Sequence, residues 1–129
     1  MIAQLIDVHP ALFRGKIPPG SEVPEGWYPM VDALCSAIES SMSPEQLKVF
    51  HIRQITRKSG MLRIYPGGIS TMGVEYLINA VAEMSALTCM ECGSPGHLRK
   101  GSHDVTLCDF CEEERQIRLN RRSQTRSAG

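Results

Sequence analysis

No sign of charge dominates this chain: 14 basic residues balance 14 acidic ones across 129 residues. Without a net charge there is no long-range field to draw the protein toward nucleic acid or an anionic membrane. Aromatic residues are scarce, with one Trp, three Tyr and three Phe. In the basic stretch described below they are limited to Phe50 and Tyr65, a poor basis for stacking along single-stranded nucleic acid. No apolar run is long enough to span a bilayer. The opening "MIAQLIDVHP" carries Asp7 and then Pro10, which argues against a secretion signal. A Gly-rich phosphate loop is missing, because "PGGIS" is too short and reads as a turn before a helix cap. No nucleophile–base pair stands out, so catalysis is not expected. Internal repeats and low-complexity blocks are absent too.

What is present is enough apolar residue, 42%, for one modest core with a small appended module. Residues 1–24 hold Pro10, Pro18, Pro19 and Pro24, with Gly15 and Gly20. Proline fixes the backbone and removes a donor, so this segment is expected to be an irregular arm that packs through Leu12, Phe13 and Ile17. A core spanning residues 25–87 follows. Pro29 suits a first helical turn, and Trp27, Val31, Leu34, Ile38 and Met42 recur at helical spacing, with Cys35 beside them. Ser43-Pro44 ends that helix and opens one short turn. Around Ser59-Gly60, "VFHIRQITRKSGMLRIYPGG" reads as a hairpin with strands near 49–57 and 61–65, its alternation broken around Gln54 and Ile55 as by a bulge. Ser70 or Thr71 can cap a second long helix reaching about Leu87 along a broad apolar stripe.

The most specific signal lies in residues 88–118. Cys89/Cys92 and Cys108/Cys111 are two Cys-x-x-Cys pairs separated by fifteen residues. Four of five cysteines at this spacing favour metal in a reducing cytoplasm over disulfides. Two close thiolate pairs can surround one Zn²⁺ tetrahedrally, and a full four-sulfur shell is structural because it leaves no position for water or substrate. Gly93 suits the tight turn after the first pair, and the acidic helix "CDFCEEERQI" presents its positive dipole end to the second. A turn, a short hairpin through Leu98 and Val105, and a turn into a helix make a treble-clef-like layout. His97 and His103 are expected to be exposed non-ligands. The fold class expected is therefore α+β: two long helices on a small antiparallel hairpin sheet, with a carboxy-terminal Cys₄ module docked without a linker and a polar basic tail at 119–129.

Basic residues cluster twice. Residues 48–63 contain Lys48, Arg53, Arg57, Lys58 and Arg63 without an acid, and the tail contains Arg115, Arg118, Arg121, Arg122 and Arg126. On simple alternation Arg53 and Arg57 share a face, so Arg53, Arg57, Lys58 and Arg63 form the candidate partner-binding stripe. Such a stripe suits phosphates or an acidic protein surface.

Two resemblances attach to these residues. "CMECGSPGHLRKG…TLCDFCEEE" resembles the zinc finger of DksA/TraR-type transcription regulators, although the long helical hairpin of those proteins has no counterpart here. Over roughly residues 9–115 the chain resembles a group of small bacteriophage and prophage proteins of unknown function, through His9, Pro10, Leu12 and Phe13, then Gly26, Trp27, Leu34 and Cys35, then Gly60, Leu62, Arg63 and Tyr65. The resemblance implies a phage-derived accessory protein acting in the host cytoplasm. The function expected is binding and modulation of a host macromolecule, a protein in the first reading, with nucleic-acid binding or transcription modulation as the alternative.

Overall fold

The computed structural model describes residues 2–128, and side chains as far as residue 124. Helices α1 (Ile2–Val8) and α2 (Pro10–Phe13) open the chain. The expected irregular arm is thus corrected over its first half. Pro10 stands in the first turn of α2, where its missing N–H has no partner to lose. Arg14, in the left-handed region at φ 53°, ends α2, and its N–H reaches the Pro10 carbonyl. Leu5, Ile6, Leu12 and Phe13 are buried, so it is tertiary packing that holds these short helices.

His9, between the two helices, is 3% exposed and faces two carboxylates of α3 (Tyr28–Ser41). Its Nε2 lies 2.7 Å from Asp32 Oδ1, and its Nδ1 meets Glu39 Oε1. Asp32 and Glu39 stand seven residues apart, two turns of one helix face. They clamp the arm to α3 through a single imidazole.

α3 itself follows the expected periodicity. Val31, Leu34, Cys35 and Ile38 are buried, and Trp27, in a short 3₁₀ turn over Glu25–Trp27, is fully buried. The Ser43 hydroxyl and the Gln46 side chain cap α4 (Pro44–Lys48) reciprocally. Strands β1 (Phe50–Lys58) and β2 (Met61–Gly68) form the antiparallel hairpin, with a register shift between Ile52 and Gln54. β2 runs past the expected stop at Pro66, which pairs with Ile52 as the second strand of a two-stranded sheet permits. Thr71 caps α5 (Met72–Ser85), its hydroxyl accepting the Val74 N–H.

An isolated two-stranded hairpin is marginal in water, and here both outer edges are occupied. On the β1 side Ile55 receives the Glu22 N–H at 2.9 Å and donates its own N–H to Ser21 Oγ at 3.0 Å. On the β2 side the Leu62 N–H goes to Ser85 Oγ at 2.9 Å, and that hydroxyl donates a hydrogen bond to the Ala82 carbonyl. α2 lies against β1, α5 against β2, and α3 against α5. One apolar cluster runs from Leu5 through Trp27, Phe50, Leu62 and Val74 to Cys89, Met90 and Leu107.

The second hairpin, β3 (His97–Arg99) and β4 (Val105–Leu107), leads into α6 (Asp109–Ala128). α6 continues through the residues expected to form a polar basic tail. Its arginines are good helix formers and complement the negative end of the dipole. The Arg126 side chain lies outside the described residues. Among the described residues no helix is long and apolar enough to cross a membrane.

The clamp sets the first prediction. His9→Ala removes two charge-assisted hydrogen bonds, and the carboxylates it leaves are 41% and 32% exposed, so water screens part of the loss. The expected destabilisation in urea unfolding is about 2 kcal/mol. An unchanged midpoint would show that the arm is held by apolar contacts alone.

Candidate metal centre

The sulfurs of Cys89, Cys92, Cys108 and Cys111 all lie within 4.8 Å of one another. The Sγ atoms of Cys92 and Cys108 are 3.7 Å apart. Four sulfurs at about 2.3 Å from a tetrahedral ion stand about 3.8 Å apart, so this spacing is compatible with a structural zinc. The group is the one the sequence spacing singles out, and it can hold a metal ion.

Each pair is shaped locally. After Cys89 the chain folds back, with the Cys89 N–H on the Ser94 carbonyl at 2.7 Å and the Gly93 N–H on the Cys89 carbonyl at 2.9 Å. Gly93 has φ 82°, a left-handed conformation that glycine adopts without penalty. In the second pair Cys108 precedes α6, and its sulfur accepts the Cys111 N–H at 3.4 Å, as a capping side chain does. Hydrogen bonds from the side chain and backbone of Ser94 hold the Cys92 thiol down at about 6. Burial, reinforced by hydrogen bonds with the other three sulfurs, pushes Cys111 upward. Four such groups cannot all ionise side by side without a cation, and a divalent ion would supply the missing charge.

The remaining candidates fall outside this cluster. Cys35 is fully buried in the main core, and burial, then the carboxylates of Glu39 and Asp32, push its thiol up to about 12. It packs as a small apolar group. His97 is exposed, with its ring 4.0 Å from Asp109, and His103 is exposed as well. Arg99 braces the second pair, donating to the Leu107 carbonyl and, at 2.7 Å, to Asp109 Oδ1; this hydrogen bond and the Arg99 charge lower the Asp109 carboxyl.

The module is seated on the core by contacts that the cysteine spacing does not reveal. The Gly26 N–H reaches the Met90 carbonyl at 2.8 Å, and a Cβ on Gly26 would meet the Cys89 carbonyl and come within 2.7 Å of the Gly93 nitrogen. The Trp27 indole N–H donates to the Thr88 carbonyl at 2.8 Å. Trp27 thus meets the entry to the module as well as the core of α3. Buried Thr106 donates its hydroxyl to the Gly60 carbonyl at 2.6 Å, tying β4 to the turn of the first hairpin, while its own carbonyl accepts the Met90 N–H.

Past the bulge the register sets Arg57 on the Leu62 face and Arg63 on the other, yet Arg53 and Arg57 still line one groove with Gln54, Thr56, Lys58 and Tyr65. The bulge at Arg53 shifts the alternation by one residue. Beyond it Arg57 stands opposite Leu62, a core residue, whereas Thr56 stands opposite Arg63, and Gln54 opposite Tyr65. The Arg57 Nε lies 3.2 Å from Glu22, and its Nη1 lies 3.4 Å from the Met90 sulfur. The acid missing from residues 48–63 comes from the arm. Arg53, Lys58, Arg63 and Tyr65 remain together on the outer face, with the Arg53 guanidinium 5.7 Å from the Tyr65 ring centre.

Compared with protein-family models, curated proteins and solved structures, the chain matches none.

Two substitutions separate ligation from seating. Cys108→Ser should release the metal and unfold residues 88–118, because a three-sulfur site loses both charge and geometry; Cys35→Ala should leave the metal bound. Elemental analysis of both proteins checks this, and full metal content in the serine variant would mean that the ligand set is wrong. Gly26→Ala should keep the metal and still lower stability by about 1–3 kcal/mol, the usual cost of overpacking a tight contact.

Proposed function

We propose that the chain is a non-catalytic binding protein whose four-cysteine centre holds one structural Zn²⁺ in a treble-clef-like module. Its partner surface is the outer face of the first hairpin. The observation that carries this reading is the register of that hairpin. The bulge gathers Arg53, Lys58 and Arg63 with Tyr65 on a face where no acidic residue stands. An open groove of about 500 Å³ runs along Arg53, Gln54, Thr56, Arg57, Lys58 and Tyr65 beside Pro19. The Arg63 Nε is buried without a hydrogen-bond partner. Positive charge gathered in this way adds little to the fold, and it suits an acidic surface on a second protein.

A filled four-thiolate shell offers no position for a reacting water, which supports a structural and not a catalytic ion. Together with the resemblance to small phage proteins, this favours an accessory factor that modulates a protein of the host cytoplasm. A second reading is favoured by one contact. Arg53 over Tyr65 makes a flat cationic platform on which a nucleobase can stack, so a nucleic-acid or transcription-modulating role is the alternative.

Arg53→Glu combined with Lys58→Glu should leave zinc content and melting temperature unchanged, because both side chains are exposed. Capture from host lysate, with and without nuclease, should then lose its protein partner in the double variant. For an acidic protein face the association rate should fall most, and the defect should shrink as salt screens charges over ~10 Å at ~0.1 M. Capture that disappears with nuclease would transfer the surface to nucleic acid. Undiminished capture would remove the hairpin from the function.

A further inference from the structure

The two basic clusters, more than fifty residues apart in the sequence, converge on one cleft. Arg57 from β1 stands on one side of it, and Arg115, Arg118 and Arg122 from α6 stand on the other. The spacings of three and four residues place the three α6 arginines on one helix face. The cleft has a volume of about 300 Å³, and its floor is aliphatic, built from Met90, Val105, Leu107 and Leu119.

The four guanidinium groups are not equivalent. Arg57 is paired with Glu22, and Arg115 with Glu112 at 3.3 Å. Among the described residues Arg118 and Arg122 have no acidic partner, and both are exposed. Glu91 is the acidic residue on the rim. Two unneutralised guanidinium groups one helical turn apart, beside an aliphatic floor, define a ligand by complementarity. It carries two oxyanions about 5–7 Å apart with an aliphatic group between them. A peptide with carboxylates on either side of a leucine or valine has that form. A phosphodiester chain supplies the anions, but its bases would find no aromatic side chain in this cleft to stack on.

We infer that the cleft between β1 and α6 is a docking site for an acidic peptide segment, with Arg118 and Arg122 on its carboxylates and the Val105–Leu107–Leu119 floor under its aliphatic side chain. This rests on the reading of the chain as a binding protein, but it concerns a different surface from the outer face of the hairpin.

The test uses the full zinc-loaded chain and a fluorescein-labelled hexapeptide of sequence Glu-Asp-Leu-Glu-Val-Asp, followed by anisotropy at ~0.1 M salt. The peptide should bind, and Arg118→Glu with Arg122→Glu should weaken it at least tenfold while zinc content and melting temperature stay unchanged. A peptide with every acid replaced by its amide should lose a similar factor. One with serine in place of leucine and valine should also bind more weakly, which separates docking on the floor from simple charge attraction. The hairpin variant Arg53→Glu with Lys58→Glu should bind the peptide within about twofold of the parent. Loss of binding in the hairpin variant but not in the α6 variant would overturn this site and leave the hairpin reading standing. Absence of peptide binding, equal binding by the α6 variant, or tighter binding of a labelled single-stranded oligonucleotide that displaces the peptide would each overturn it too.

Discussion

The backbone of Gly26 lies so close to the first cysteine turn that no side chain fits between them. That contact governs how the two halves of the molecule share stability. The module has few buried apolar residues of its own, chiefly Cys89, Met90 and Leu107. A metal ion bound by four thiolates contributes free energy on the order of 10 kcal/mol to such a module at neutral pH. This energy reaches the helical core only if the turn carrying Cys89 and Cys92 is fixed against it. The Gly26 amide on Met90 and the Trp27 indole on Thr88 do that fixing from consecutive residues just before α3. The same short stretch therefore starts the main helix and receives the metal module.

The first hairpin depends on the same arrangement from its other end. Its edges are occupied by Ser21 and Glu22 on one side and by Ser85 on the other, and its turn is held by Thr106. Three separate segments thus secure the backbone of a two-stranded sheet that would be marginal alone. Its outer side chains make few contacts with the rest of the fold, chiefly the ring contact between Arg53 and Tyr65 and the Gln54 amide on the Pro19 carbonyl. A surface kept rigid by contacts made elsewhere is well placed to bind, because little conformational entropy is lost when a partner arrives.

Features that depend on local chemistry were legible in the sequence. The α3 and α5 stripes follow helical spacing, Ser43 and Thr71 are capping residues, and Ser59-Gly60 is a turn pair. The four sulfurs were legible because metal geometry constrains spacing so strongly. What escaped depends on contacts distant in sequence. α1 and α2 exist because Leu5, Ile6, Leu12 and Phe13 find a core, and prolines counted without regard to helix position concealed them. The bulge was visible as broken alternation, but the face each side chain takes beyond it is set by pairing with β2. A single inserted residue changes the face of everything beyond it. Thr106 gave no signal at all, since one buried threonine in a strand looks like any other.

Net neutrality misled in a related way. The balance of 14 charges against 14 holds for the chain and not for its surfaces. Between Ile64 and Gly96 the chain has no lysine or arginine, and the glutamates of this stretch have no cation beside them in sequence. Elsewhere acids are used up in pairs: Asp32 and Glu39 on His9, Glu22 on Arg57, Asp109 on Arg99, Glu112 on Arg115. Among the described residues of the two basic clusters, Lys48, Arg53, Lys58, Arg63, Arg118 and Arg122 stand in no ion pair. Four thiolates around a divalent ion would leave two negative charges one helical turn from Arg115 on α6, a favourable neighbour for that cation. The overall charge of a chain bounds only its long-range field; over a Debye length of about 10 Å, what a partner meets is the local remainder after pairing.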